Sequence, residues 1–129
     1  MFRIFFLLSL LLVSCSPKVD DFQKSIDDSY EVMTLRQRSI LADFYPNKES
    51  RIEEGKNYCN ELKSGITKQQ IHDKQSEPLL NKVQEKKITI DESVDITLVR
   101  EQIQEIGVKY YCPEFEEKIP TLKEKLNSK

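Results

Sequence analysis

The first 13 residues, Met1 to Val13, are almost wholly apolar with Arg3 as their only charge, and no later stretch of the chain reads like them. A cationic start followed by about ten apolar residues has the form of a secretory signal peptide. The run is shorter than the roughly 20 residues a membrane-spanning helix needs. The expectation is that this segment is removed. What folds is then a shorter, more polar chain, outside the reducing cytosol.

The residues that end the run sharpen this. Leu12-Val13-Ser14-Cys15 resembles the lipobox of bacterial lipoproteins, in which an aliphatic residue, a tolerant position and a small residue precede an obligatory cysteine. The resemblance implies that the Cys15 sulfur receives a diacylglyceryl group and that the signal is cut between Ser14 and Cys15; in that family the new amino terminus is often acylated as well. The residues suit that chemistry, since Ser14 is small and the Cys15 thiol is a nucleophile able to form a thioether. The alternatives are an ordinary signal peptide ending near a cysteine, or a buried apolar helix. Two or three acyl chains, at ~0.8 kcal/mol per buried CH₂, would hold the protein on a bilayer where one chain would be marginal. Ser16 stands where an aspartate retains lipoproteins in the inner membrane, so the same resemblance allows export to the outer membrane. Ser16-Pro17-Lys18 reads as a tether of roughly 10 Å, which keeps the domain close to lipid.

Cleavage before Cys15 removes 14 of the 129 residues and leaves 115, of which about 33% are apolar against 38% for the whole chain. Leu, Ile, Val and Phe make up about 24% of that remainder, above the roughly 20% below which chains tend to disorder. One small domain over residues 19–129 is expected. The whole chain carries 20 basic and 22 acidic side chains, which argues against a nucleic-acid binder relying on a basic face. Cys59 and Cys112 form an even pair in an exported chain, so a disulfide is expected; the alternative is two separate buried thiols. It would close a 54-residue loop, to which the chain-entropy treatment assigns about 4 kcal/mol.

Apolar spacing predicts an all-α fold, a small bundle of about four helices stapled by Cys59–Cys112. A first helix is expected from Val19 to Phe44, on the stripe Val19, Phe22, Ile26, Tyr30, Met33, Ile40, Leu41 and Phe44, with Gln37 interrupting it and Pro46 stopping it. Asn47 is a candidate cap for a second helix reaching Ser64, with Ile52, Gly55, Cys59 and Leu62 inward. Gly65 sits where a left-handed C-terminal cap belongs. Thr67 and Gln70 then form a capping box, with Ile66 and Ile71 as its staple. Between Asp73 and Ser93 the pattern blurs, and Ile88-Thr89-Ile90 reads as extended loop. A last long helix is expected from near Asp95 to Cys112, with Ile96, Val99, Ile103, Ile106 and Tyr110 on one face and Val108 and Cys112 on the other, as for a central element. Pro113 would break it. Phe115, Ile119, Leu122 and Leu126 mark a final amphipathic segment interrupted at Pro120.

Two neighbourhoods carry a second resemblance. Cys59-Asn60-Glu61-Leu62-Lys63-Ser64-Gly65 reads Cys-x-x-Leu-x-x-Gly, and Tyr111-Cys112-Pro113 reads aromatic-Cys-Pro at the end of an apolar helix. Together they resemble the domain of unknown function 732 family of small exported helical domains. Over residues 53–115 the resemblance implies a compact helical domain with Cys59 and Cys112 joined and Gly65 structural, and it assigns no activity. The chain departs from that pattern in a longer polar connection between Asp73 and Asp91 and in its long first helix.

Motifs of catalysis are missing: no Gly-x-Ser-x-Gly, no phosphate-binding loop, no His-Glu-x-x-His. The single His72, beside Asp73, reads as a surface histidine rather than a metal or acid–base group. Glu53 and Glu54 could be offered as a carboxylate pair, but among 22 acidic residues such neighbours arise by chance. Tyr45, Tyr58, Tyr110 and Tyr111 could furnish a recognition surface, with core packing expected for Tyr58 and Tyr110. The expectation is therefore a non-enzymatic envelope lipoprotein, a binding or accessory module with no metal or cofactor beyond the lipid on Cys15. Its partners would be the bilayer and an envelope protein. The competing expectation is a cell-wall hydrolase, or an inhibitor of an envelope enzyme, working through acidic side chains. A concave pocket gathering Glu or Asp with His72 would favour that enzyme, and a featureless convex bundle the module.

Overall fold

The computed structural model describes residues 17–117. Over them the chain forms five α-helices: α1 (Pro17–Val32), α2 (Leu35–Phe44), α3 (Lys48–Lys63), α4 (Lys68–Gln84) and α5 (Ile90–Tyr111), followed by a 3-10 turn at Pro113–Phe115. No strand occurs among the described residues. The all-helical bundle and its disulfide agree with the sequence. Ser14, Cys15, Ser16 and the final stretch from Lys118, with Ile119, Leu122 and Leu126, lie outside the described residues.

The expected helix Val19–Phe44 is corrected in two ways. The chain is already helical at Pro17, the first described residue, which takes Pro17 and Lys18 from the supposed tether. The expected helix is also two helices. Thr34 takes extended geometry and its hydroxyl accepts from the Gln37 N–H, while the Gln37 side chain accepts from the Thr34 N–H. Gln37, the polar residue that interrupts the stripe, is therefore half of a capping box. The corner is closed by Arg38, whose Nη2 donates to the Glu31 carbonyl at 3.1 Å and whose guanidinium lies 4.7 Å from the centre of the Tyr30 ring. Apolar residues on both sides of the break reach the same core, which is why one stripe seemed to run through it.

Asn47 caps α3 as expected, its Oδ1 accepting from the Ser50 N–H at 2.8 Å. The helix ends in a Schellman turn, with Gly65 at φ 96° and the Ile66 and Gly65 N–H groups bonding the Glu61 and Leu62 carbonyls. The Thr67–Gln70 box starts α4, and Ile66 packs beside buried Ile71. Two further corrections follow. α4 continues through the blurred region to Gln84, with Pro78 inside it, and α5 begins at Ile90 rather than near Asp95. Thr89 is its cap, accepting from the Glu92 N–H at 3.1 Å while Glu92 accepts from the Thr89 N–H at 2.7 Å. The supposed loop Ile88-Thr89-Ile90 is a helix start.

α5 is the central element. Ile96, Val99, Ile103 and Ile106 join Phe22 and Ile26 of α1, Ile40 and Leu41 of α2 and Leu79 of α4 in the larger core. On the opposite face Val108 and Cys112 meet Tyr58, Cys59 and Leu62 of α3 and Ile71 of α4. α3 crosses α5 at two glycines: a Cβ placed on Gly107 would lie 2.6 Å from the Gly55 Cα, a distance at which something must shift. That approach, four residues before Cys59 and five before Cys112, brings the two cysteines to a Cα separation of 5.8 Å, and they are joined in a disulfide.

Candidate functional site

Where α3 and α5 close tightly, α4 and α5 leave a groove of about 360 Å³ between them. Its position follows from the two caps: Gly65 turns the chain back so that α4 runs along α5, placing Lys68, His72 and Ser76 opposite Thr97, Glu101 and Glu105. Tyr58 of α3 forms part of its lining.

His72 and Lys68 are paired across the groove, while Arg100, which also lines it, enters no ion pair among the described residues. His72 Nδ1 lies 2.8 Å from Glu101 Oε1, and Lys68 Nζ donates to Glu105 Oε1 at 3.1 Å with Glu117 at 3.9 Å. His72 is half exposed, as a surface histidine should be, but it is held by a carboxylate from the facing helix and does not stand alone. Glu53 is exposed, while Glu54 Oε1 accepts from Gln104 Nε2 at 2.7 Å, so the two neighbours do not act as a pair. The amide of Gln104, only 3% exposed, also donates to Gln75 Oε1 at 3.0 Å. This buried link between α3, α4 and α5 left no mark in the sequence pattern, because Gln104 falls between apolar residues as any surface glutamine might.

The tyrosines divide as their surroundings dictate. Tyr58 is buried, and burial first, then Glu105 and Glu101, push its phenol up to about 12. Tyr110 is half-buried and its hydroxyl shares a 2.9 Å hydrogen bond with the Ser25 hydroxyl. The Tyr111 ring packs on Phe22 at 5.4 Å between centroids, and burial raises its pKa. Tyr45 is raised by burial and then by Glu54. Core packing therefore occupies Tyr58 and Tyr110, as expected.

The groove holds an imidazole–carboxylate pair, but no hydrogen bond links His72 to Ser76, the hydroxyl one helical turn along α4. Among the described residues there is no cluster of three His, Cys, Asp or Glu suited to a metal ion, and no helix long and apolar enough to cross a membrane. Cys59, Cys112 and Gly65 lie at the α3–α5 crossing and the α3–α4 turn, away from this groove, and serve the fold. Compared with protein-family models, curated proteins and solved structures, the chain matches none.

Proposed function

We propose that the chain is an exported bacterial lipoprotein: a disulfide-stapled helical module, held at a membrane by the acylated Cys15 and acting as a non-enzymatic binding or accessory component. The observation that carries the reading is Leu12-Val13-Ser14-Cys15 at the end of a single apolar run. Two features support it. The chain is already helical at Pro17, two residues after Cys15, and a Cys59–Cys112 bond is of the kind that persists in oxidising compartments. In the α4–α5 groove the raised pKa of Tyr58 and the lack of a hydrogen bond from His72 to Ser76 speak against a poised nucleophile. The likeness to the domain of unknown function 732 family belongs to the same proposal, supported by the left-handed Gly65 turn six residues after Cys59 and by the helix end at Cys112-Pro113. Ser16 allows sorting to the outer membrane. Metabolic labelling with palmitate tests the anchor: the wild type should take up label and Cys15→Ala should not, and an unlabelled wild type refutes the proposal.

One observation favours the second reading, an envelope hydrolase or inhibitor working through acidic side chains: a concave groove does gather His72 with Glu101 and Glu105. Purified sacculi digested by the wild type but not by Glu101→Gln would establish it in place of the module.

A further inference from the structure

On the other side of α4 from His72 lies a second groove, of about 390 Å³, bounded by α2, α3, α4 and α5. Its charge is one-sided. Arg100, Lys74 and Lys82 line it against a single carboxylate, Glu54, whose Oε1 is already engaged by Gln104. The chain as a whole is slightly acidic, so this local excess of cations runs against its composition.

The state of the cations strengthens the point. Arg100 is half-buried, yet among the described residues it enters no ion pair: its Nη1 donates to the Gln75 carbonyl at 3.3 Å, and the Tyr45 phenol beside it is its other polar neighbour. A guanidinium has five N–H donors, and a partly buried charge is ordinarily paired. Lys82 likewise has no described ion pair, while Lys74 reaches Glu61 at 3.3 Å from a largely exposed position. Lys74, Pro78 and Lys82 follow one another at four-residue steps, so α4 presents them on one face. Next to the cations the wall is apolar: Phe44, half exposed, faces the groove together with Pro78 and buried Leu79.

We infer that this groove is a binding site for a small anion with an apolar body, a phosphate monoester or carboxylate whose head group meets Arg100 and the two lysines and whose ring or chain lies against Phe44 and Pro78. A bidentate hydrogen bond from Arg100 is the geometry that a planar carboxylate or a phosphate accepts. The volume is at the low end of the ~300–1,000 Å³ of small-ligand sites. The inference is independent of the anchor on Cys15, and loss of palmitate labelling would leave it standing.

The test uses full-length protein in a non-ionic detergent, with micelles alone as the blank. 1-Naphthyl phosphate is titrated and followed by its fluorescence anisotropy. Saturable binding is expected, displaced by excess inorganic phosphate, and 1-naphthol, which lacks the charge, should bind about tenfold or more weakly. Arg100→Gln should weaken binding at least about tenfold, and Lys82→Gln about two- to fivefold with an unchanged melting temperature. Should Arg100→Gln unfold, Lys82→Gln and Phe44→Ala decide the matter. No saturable binding, binding undiminished in Lys82→Gln and Phe44→Ala, or equal affinity for 1-naphthol would each overturn the inference.

Discussion

At the end of α4, Lys86 takes a φ of 57°, and its N–H and that of Lys87 bond the Val83 and Lys82 carbonyls. This is the turn that Gly65 makes after α3, built with a residue that pays for its Cβ. Lys86→Gly should therefore stabilise the protein by about 0.5–1 kcal/mol in urea denaturation, whereas Gly65→Ala should cost about 1 kcal/mol. The same contrast explains what could be read from the residues: a glycine announced the end of α3, and a lysine hid the end of α4. Gly107 is the sharper case. An added Cβ there would meet the Gly55 backbone at 2.6 Å, so Gly107→Ala should cost about 1–3 kcal/mol by overpacking, measured as a lowered denaturation midpoint, although alanine favours helix elsewhere. Gly55 lies on an inward stripe and could be noticed; Gly107 stands among apolar residues, and its role depends on a crossing that periodicity does not encode.

Among elements, the decisive signals are the caps. Thr34–Gln37, Asn47–Ser50, Thr67–Gln70 and Thr89–Glu92 start four of the five helices with reciprocal bonds. The box at Thr67 stood out because a glycine preceded it. The boxes at Thr34 and Thr89 have the same spacing but are overshadowed, one by an apolar stripe that continues across the break and the other by alternating isoleucines that imitate a strand. Their consequence is measurable. Thr89→Ala removes the hydroxyl that accepts from the Glu92 N–H and should cost about 1 kcal/mol, with hydrogen exchange rising first in the opening turn of α5. Unchanged exchange there would show that packing alone holds the helix start. The α4–α5 groove was the least legible part of the molecule, since the pairing of His72 with Glu101 joins residues 29 positions apart through a turn whose length depended on the misread end of α4.

For the whole molecule, α5 gathers both cores and the staple ties its end to α3. The fold class, the central helix and its two faces could be read from spacing because each follows from local periodicity; the helix count and the groove needed the turns to be placed. Alkaline pH should loosen the assembly in a defined window. Tyr58 ionises near 10 in an unfolded chain but is held up to about 12 when folded. The stability that comes from keeping its phenol neutral is therefore complete below pH 10 and is lost as pH rises towards 12. Tyr45 and Tyr111, both raised by burial, act in the same direction. Urea midpoints should fall between about pH 10 and about pH 12, and Tyr58→Phe should flatten part of that fall. Reducing Cys59–Cys112 should cost about 4 kcal/mol, a large share for a domain this polar. The central claim, an exported domain that carries lipid on Cys15 and a closed disulfide, is tested most directly by the intact mass of the protein isolated from envelopes. The account predicts a chain beginning at Cys15, heavier than its residues by a diacylglyceryl group and any amide-linked acyl chain, with Cys59 and Cys112 resistant to alkylation until reduced. A chain that retains Met1, or an unmodified Cys15, would contradict it.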